Sequence, residues 1–209
     1  MKNTTVLVTG GAGVIGSSLC KALLGLNSKV ICFDDFSTGS LDAIASFRNH
    51  PNFKLIGGTI QDIEKCKKVV DGVDYVFHLA RTDTHSAIKS NAFTINDATV
   101  VGFLNMLSVT QTSNVKGFIY PASCPQSSDY LEIPKIEEVM QGKSLSTDII
   151  SKYTKELYVN LFRREYGLQI KGVAFTSIFD KTEAVAVSKI VQLNINVLQG
   201  MLREAYQPA

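Results

Sequence analysis

The sequence has no tryptophan, only five prolines and only four cysteines among its 209 residues. The cysteines, at positions 20, 32, 66 and 124, form no Cys-x-x-Cys pair. In addition, no group of His, Cys or acidic residues has the spacing of metal ligands. We therefore predict no metal site and expect buried free thiols in a reducing compartment.

An excess of charge of either sign is also missing, since 21 basic and 19 acidic residues give a net charge of +2. This balance excludes the electrostatic footprint of a nucleic-acid or membrane-surface protein. No apolar run looks long enough to cross a bilayer, and the N-terminus has no signal-peptide pattern. We expect a cytoplasmic protein without nucleic-acid or membrane partners, whose ligands are small molecules or proteins.

What the sequence does contain is a glycine-rich motif between the first predicted strand and the first predicted helix. Glycines at positions 10, 11, 13 and 16 follow the apolar run Thr5–Thr9. In this context one glycine makes the turn, one lets the backbone approach a pyrophosphate, and one lets the helix pack on the strand. The free N–H groups of the helix N-terminus then face the phosphates. A βα turn that merely carries glycines is the alternative. A phosphate-loop NTPase is excluded because no Gly-Lys-Ser/Thr follows.

A second predicted strand, at 29–33, ends at Asp34 and Asp35. The interval from the glycines is close to the twenty residues at which a carboxylate binds the ribose hydroxyls of a dinucleotide. Asp34 would repel a 2′-phosphate, and no arginine lies between it and Ser40. The pattern favours NAD over NADP, with a plain strand-end turn as the alternative for Asp34.

Strands and helices alternate along the whole chain, and residues 125–146 are expected to be mainly loop. This order predicts an α/β fold: a Rossmann-type, doubly wound parallel sheet with helices on both faces. Strands are predicted at 5–9, 29–33, 53–57, 73–79, 117–121 and 169–175, and helices from 14 onward and at 41–47, 63–70, 91–110, 148–166 and 183–202.

Six segments together resemble the extended short-chain dehydrogenase/reductase family, specifically its NAD-dependent nucleotide-sugar epimerases and dehydratases. The similarity is greatest to the UDP-N-acetylglucosamine 4-epimerases of polysaccharide and O-antigen synthesis. The segments are residues 8–16, 33–39, 74–80, 102–107, the pair Ser151-Lys152 with Glu156, and residues 166–168.

The resemblance implies bound NAD as the cofactor and a UDP-sugar as the substrate. It also implies a dimer formed through the helices at about 91–110 and 148–166, either with a second copy or with a full-length relative. The cofactor-binding positions that it implies are Gly10, Gly13, Val14, Ile15, Gly16, Asp34, Asp35, Ser37, Thr38, Gly39, Ile60, Leu79, Ala80 and Lys152.

In that family a Ser or Thr, a Tyr and a Lys carry the chemistry. The Ser/Thr position corresponds to Ser123 and the lysine to Lys152, but the tyrosine position, four residues before the lysine, holds Asp148. A carboxylate with an ordinary pKa of about 3.9 is a feeble base toward an alcohol compared with tyrosine at about 10. Asp148 and Lys152 would also pair across one helical turn. We therefore expect catalysis to be impaired or absent.

Other positions depart from the family pattern in the same direction. The chain also ends at Ala209, before most of the family's small C-terminal domain. We expect an NAD-binding domain at 1–180, a helical remnant of a truncated substrate domain at 181–209, and a largely missing nucleotide-sugar site. The departing positions are Thr59, Thr99, Ser177 and the segment 125–128.

Three interpretations of the function remain open. The chain could be an active UDP-sugar 4-epimerase in which Tyr120, Tyr153 or a water replaces the missing base. It could be a non-catalytic NAD-binding scaffold or dimer partner, or a fragment without any ligand. His78 is expected to be a satisfied core residue, and His85 a solvated loop residue.

Overall fold

The structure is a computed structural model that describes residues 3–81, 96–122, 147–174 and 183–205. Ser123, Ser177, His85 and the predicted loop at 125–146 lie outside the described residues. For Asp148 the structure describes the helical backbone alone.

Six strands form one parallel sheet in the order β3-β2-β1-β4-β5-β6. This is the Rossmann order, so the predicted fold class is confirmed. The strands are β1 Thr5–Thr9, β2 Lys29–Asp34, β3 Phe53–Gly57, β4 Tyr75–His78, β5 Gly117–Ala122 and β6 Ile170–Ala174.

The helices cover both faces of this sheet. A π-helical turn, Asp97–Val101, leads directly into α4, so the predicted regular helix at 91–110 differs here from the observed one. The helices are α1 Val14–Gly25, α2 Leu41–Ile44, α3 Ile63–Val70, α4 Gly102–Gln111, α5 Thr147–Tyr166 and α6 Glu183–Ala205.

Apolar residues on the two faces of the strands make two cores, as expected for strands that are covered on both sides. On one face α1 and α6 pack together, with Leu19 and Leu23 of α1 in the same cluster as Ile195 and Leu198 of α6. On the other face α3, α4 and α5 cover the sheet. Because α6 buries side chains in a core that it shares with α1 and the sheet, it completes one layer of the fold.

Part of α6 is long and apolar enough to cross a membrane by length and composition. This segment, Val185–Arg203, has a mean hydropathy of 1.2, and 33% of it is buried in the structure. The expectation that no segment reaches this length and apolarity is wrong for α6. Its buried positions include Leu198 and Met201, which pack against the sheet.

Candidate functional site

The candidate site lies at the carboxyl ends of β1 and β4, where the strand order reverses. Ligands of open α/β sheets bind in the crevice at this point. The pairing of β1 with β4 ends at Thr9 and His78, and Leu79 N–H then donates to Thr9 O at 3.1 Å. The residues that follow both strands therefore meet at one edge of the sheet.

The glycine loop after β1 has no room for side chains at two positions. Gly10 has a φ of +67°, and a Cβ there would lie 2.8 Å from the backbone nitrogen of Ala80. A Cβ on Gly16 would collide with the carbonyl oxygen of Gly10. Glycine is thus required both for the turn and for the packing of α1 on it, as the sequence motif predicts.

The N-terminus of α1 faces the same crevice from the end of this loop. Gly13 is the N-cap, no side chain in the described part of the chain caps the helix, and its first turn has no acidic residue. Ser17 N–H donates to Gly13 O at 2.9 Å and so begins the helical ladder. The N–H groups of the first turn, at Val14, Ile15 and Gly16, are oriented to bind an anion such as a pyrophosphate.

Asp34 is the buried carboxylate of the site, with 7% of its surface exposed. Its Oδ2 accepts a hydrogen bond from Ala12 N–H and its Oδ1 accepts one from Phe36 N–H, both at 2.8 Å. These bonds fix the carboxylate beside the glycine loop. Because two carboxylate oxygens offer about four acceptor positions, capacity remains for the hydroxyls of a ribose.

The turn after Asp34 closes back onto the glycine loop. Asp35 Oδ1 accepts from the N–H and the hydroxyl of Ser37, at 2.9 and 2.6 Å. A Cβ on Gly39 would lie 2.8 Å from the carbonyl carbon of Ala12, and Ser40 N–H donates to Ala12 O at 3.1 Å. The structure therefore brings the predicted positions at 34–39 to the rim of the same crevice.

The predicted positions Leu79 and Ala80 lie opposite, after β4. Ala80 N–H donates to Thr9 Oγ1 at 3.2 Å, and that hydroxyl is 3.1 Å from His78 Nδ1. The direction of the bond between Thr9 and His78 follows the tautomer of the ring, since the hydroxyl can donate to Nδ1 or accept from it through its second lone pair. Burial, followed by the nearby positive charge of Lys155, lowers the pKa of His78 to about 3. The prediction that His78 is a satisfied core residue is confirmed.

Helix α5 and strand β5 carry the predicted catalytic positions that lie within the described residues. Asp148 and Lys152 lie one turn apart on α5, and Lys152 is exposed. Tyr120 on β5 is 1% exposed, and its hydroxyl donates to Glu156 Oε2 at 2.6 Å. A buried phenol that is already bonded to a carboxylate is poorly placed to serve a substrate. This contact therefore argues against Tyr120 as a replacement base.

Sequence reasoning gave no role to Asn105, although it lies in one of the resembling segments. Its side-chain amide donates to the carbonyl oxygens of Ile60 and Gln61 in the turn after β3. The spacing of Asn105 three residues after Gly102 places both on the face of α4 that meets this turn, which is the signal that could have identified it.

These residues fit a dinucleotide such as NAD. The glycine loop, which has no side chains in the way, and the N–H groups at the N-terminus of α1 can bind a pyrophosphate. The Asp34 carboxylate can bind a ribose that carries no 2′-phosphate. Among the described residues no group of three or more His, Cys, Asp or Glu could hold a metal ion.

Known proteins with similar structures and sequences include several nucleotide-sugar enzymes. UDP-N-acetylglucosamine 4-epimerase from Methanobrevibacter ruminantium M1, solved with UDP-N-acetylmuramic acid, is 26% identical with a TM-score of 0.68, and the match covers 83% of this chain and 54% of that one. UDP-glucose 4-epimerase from Thermotoga maritima, solved with UDP-glucose, is 27% identical with a TM-score of 0.64, and the match covers 80% and 53%.

UDP-glucuronic acid decarboxylase 4 of Arabidopsis thaliana is 31% identical over 132 residues, which are 63% of this chain and 28% of that protein. The chain thus spans about half the length of the solved structures it matches, and less of this plant relative. The model of the NAD-dependent epimerase/dehydratase family matches residues 6–201. Given this match over nearly the whole chain, and the glycine loop and Asp34 described above, the chain belongs to the NAD-dependent epimerase/dehydratase family.

Proposed function

We propose that this chain binds NAD in the crevice between β1 and β4 as a nucleotide-sugar epimerase or dehydratase would, with catalysis impaired or absent. The observation that carries the proposal is the double anchoring of Asp34. Its two carboxylate oxygens bind Ala12 and Phe36 N–H, so the ribose-binding group and the glycine loop form one rigid unit. A carboxylate placed in this way also disfavours the 2′-phosphate of NADP by charge repulsion.

The chain's own residues divide the work of holding the cofactor. The first-turn N–H groups of α1 bind the pyrophosphate, and Asp34 accepts from the adenosine ribose. Lys152 on α5 is proposed to contact the nicotinamide ribose, while Ser123 is proposed to orient the substrate hydroxyl. The chemistry that NAD supplies when bound is the acceptance and return of a hydride.

Impaired catalysis follows from Asp148 at the position of the family tyrosine. A carboxylate has little affinity for an alcohol proton, because its ordinary pKa of about 3.9 lies far below that of an alcohol. Asp148 and Lys152 are four residues apart on α5, a spacing at which opposite charges on a helix attract each other. Loss of a positioned acid/base group lowers a rate by about 10²- to 10⁴-fold.

The substrate class we propose is a UDP-sugar. The proposal is supported by the relatives whose names carry UDP-N-acetylglucosamine, UDP-glucose and UDP-glucuronic acid. The chain covers about half of the solved relatives. That this chain itself binds the sugar is therefore part of the proposal.

We further propose that a second copy covers α4 and α5. These helices pack on each other, and Ile150, Leu157 and Leu161 of α5 are exposed. The spacings of seven and four residues put the three side chains on one face of α5, which is the pattern of a helix-packing seam. A heterodimer with a full-length relative would use the same face.

Restoring the tyrosine tests the catalytic part of the proposal. We expect Asp148→Tyr to convert UDP-N-acetylglucosamine at least about 10²-fold faster than wild type, since it restores a positioned base. Product formation and the absorbance of reduced nicotinamide would be followed with NAD present. Asp148→Phe adds the ring without the hydroxyl and should resemble wild type. A wild-type rate equal to that of Asp148→Tyr would contradict the proposal.

A further inference from the structure

The turn between β3 and α3 is held from outside by one side chain of α4. Nδ2 of Asn105 donates to the carbonyl oxygen of Ile60 at 3.0 Å and to that of Gln61 at 3.1 Å. An amide NH₂ group has two donors, so one side chain satisfies two successive backbone acceptors. These acceptors lie in a turn, outside the strands and helices.

Helix α4 comes close enough for this contact because it begins with a glycine. A Cβ on Gly102 would lie 2.5 Å from Cδ1 and 2.6 Å from Cγ1 of Ile60. The Ile60 side chain therefore occupies the space that a side chain at position 102 would need. With 7% of its surface exposed, Ile60 is fixed against α4 while its backbone is held by Asn105.

Two further bonds attach the turn to its surroundings. The Cys66 thiol donates to Ile60 O at 3.4 Å, and burial raises the pKa of this thiol to about 11, so it stays protonated at neutral pH. At the other end Gly58 N–H donates to the backbone oxygen of Asp34 at 2.9 Å. The turn is thus linked directly to the residue that is placed to bind the ribose.

We propose that Asn105 is a positioning residue that holds Ile60 as a wall of the adenine site. The inference rests on the proposed binding of NAD. With the adenosine ribose at Asp34, the adenine site we propose lies at the neighbouring turn after β3, because Gly58 N–H of this turn donates to the backbone oxygen of Asp34 and Ile60 follows two residues later. Asn105 itself contacts no ligand. It keeps the turn ordered before binding, so that less conformational entropy is lost when the ligand binds and the affinity is higher.

The test compares ligands that do and do not carry the base. NAD, AMP and inorganic pyrophosphate would be titrated into wild type and Asn105→Asp, whose carboxylate cannot donate to the two carbonyl oxygens. We expect NAD and AMP to bind about tenfold more weakly, as for the loss of two backbone hydrogen bonds. Pyrophosphate, which needs the glycine loop alone, should change less than twofold. Asn114→Asp makes the same chemical change on an exposed loop residue and should bind all three as wild type does.

Gly102→Ala provides a second variant, and circular dichroism checks that it folds, because its Cβ would overlap the Ile60 side chain. Its added methyl group displaces Ile60 from the other side, and it should weaken AMP without weakening pyrophosphate. Unchanged NAD and AMP binding in Asn105→Asp would overturn the role of Asn105, as would equal losses for AMP and pyrophosphate. A wild type that binds pyrophosphate and AMP but not NAD would overturn the proposed function, and one that binds none of them would overturn both.

Discussion

His78 shows at the scale of one residue how the environment sets a protonation state. Its ring lies 5.7 Å from that of Phe118 in a stacked arrangement and 5.3 Å from that of Phe103, centroid to centroid. It is 4% exposed, and Thr9 satisfies its Nδ1. A positive charge has no compensation in this apolar cluster, so the neutral ring is the stable form.

We expect the protein to lose stability as the pH falls below about 6.5, the ordinary pKa of histidine. The folded pKa of about 3 lies below the unfolded one, so the unfolded chain binds a proton that the folded chain refuses. The stability that the neutral His78 ring contributes is fully present above about pH 6.5 and is lost progressively as the pH falls toward 3. Between pH 7 and pH 5 this loss amounts to about 2 kcal/mol of unfolding free energy.

Urea unfolding of wild type and His78→Phe at pH 7 and pH 5 measures this loss of unfolding free energy. The Phe variant should lose less stability on acidification than wild type by about this amount. His50→Gln, which lies outside the cluster, should behave as wild type. Equal pH dependence in wild type and His78→Phe would show that another group carries it.

Individual site residues were predictable where the local geometry or the spacing in sequence requires one type of residue. Gly10 and Gly16 were recognisable because no other residue fits their backbone, and Asp34 because of its interval from the loop. Thr9 was not, since its role depends on Ala80, 71 residues away in sequence, and such a contact leaves no local pattern. The spacing of Asn105 from Gly102 shows the shared helix face, but not the backbone acceptors 44 residues away that give Asn105 its role.

At the scale of elements, side-chain contacts hold helix α5 against the sheet and against α4. Tyr120 of β5 bonds to Glu156, Arg163 donates twice to Ile170 O of β6, and Lys155 lies 5.2 Å from the centroid of the Phe103 ring. These contacts fix the rotation of α5 and with it the positions of Asp148 and Lys152.

Tyr120→Phe should cost about 2 kcal/mol of stability, the typical net contribution of a hydrogen bond to a charged group. It should leave any UDP-sugar turnover and NAD affinity unchanged, because the buried hydroxyl serves Glu156. Urea unfolding and the turnover assay of wild type and variant check both parts. Tyr166→Phe, at an exposed position, should be neutral. A selective loss of turnover in Tyr120→Phe would make this residue the replacement base.

Element boundaries were predictable where local signals were strong. Helix α3 begins after Asp62, whose side chain accepts from the N–H groups of Glu64 and Lys65, and it ends before Asp71-Gly72. Its predicted bounds, 63–70, are confirmed. Strand β4 is shorter than the predicted 73–79. At its start Val73 N–H donates to Val70 O in the preceding turn, and beyond its end Ala80 N–H donates to the Thr9 side chain instead of its backbone. The π-helical turn before α4 has no local sequence signal.

At the scale of the whole molecule, the alternation of elements was sufficient to predict the sheet order. Parallel strands with right-handed crossovers leave few other arrangements. The packing of α6 against α1 was not predictable, since the apolar pattern of α6 suits several partners. The domain division at residue 180 stays a prediction.

The exposed face of α5 yields a prediction about assembly. Leu157→Glu should weaken self-association at least about tenfold, because it places a charge in the centre of the proposed apolar contact. Sedimentation at several concentrations measures it, with circular dichroism as the check on folding. Leu193→Glu on α6 makes the same change at a comparably exposed site and should leave association unchanged. A wild type that stays monomeric at every concentration would contradict the homodimer.

The most direct test of the account is titration of the protein with NAD by calorimetry. We predict saturable binding, weaker binding of NADP, and at least about tenfold loss of NAD affinity in Asp34→Ala, because the charged ribose contact is removed. Asp71→Ala, which removes an exposed carboxylate after α3, should bind as wild type. Absence of binding at about millimolar NAD, a range at which even weak specific ligands bind, would contradict the account, as would equal affinity in Asp34→Ala.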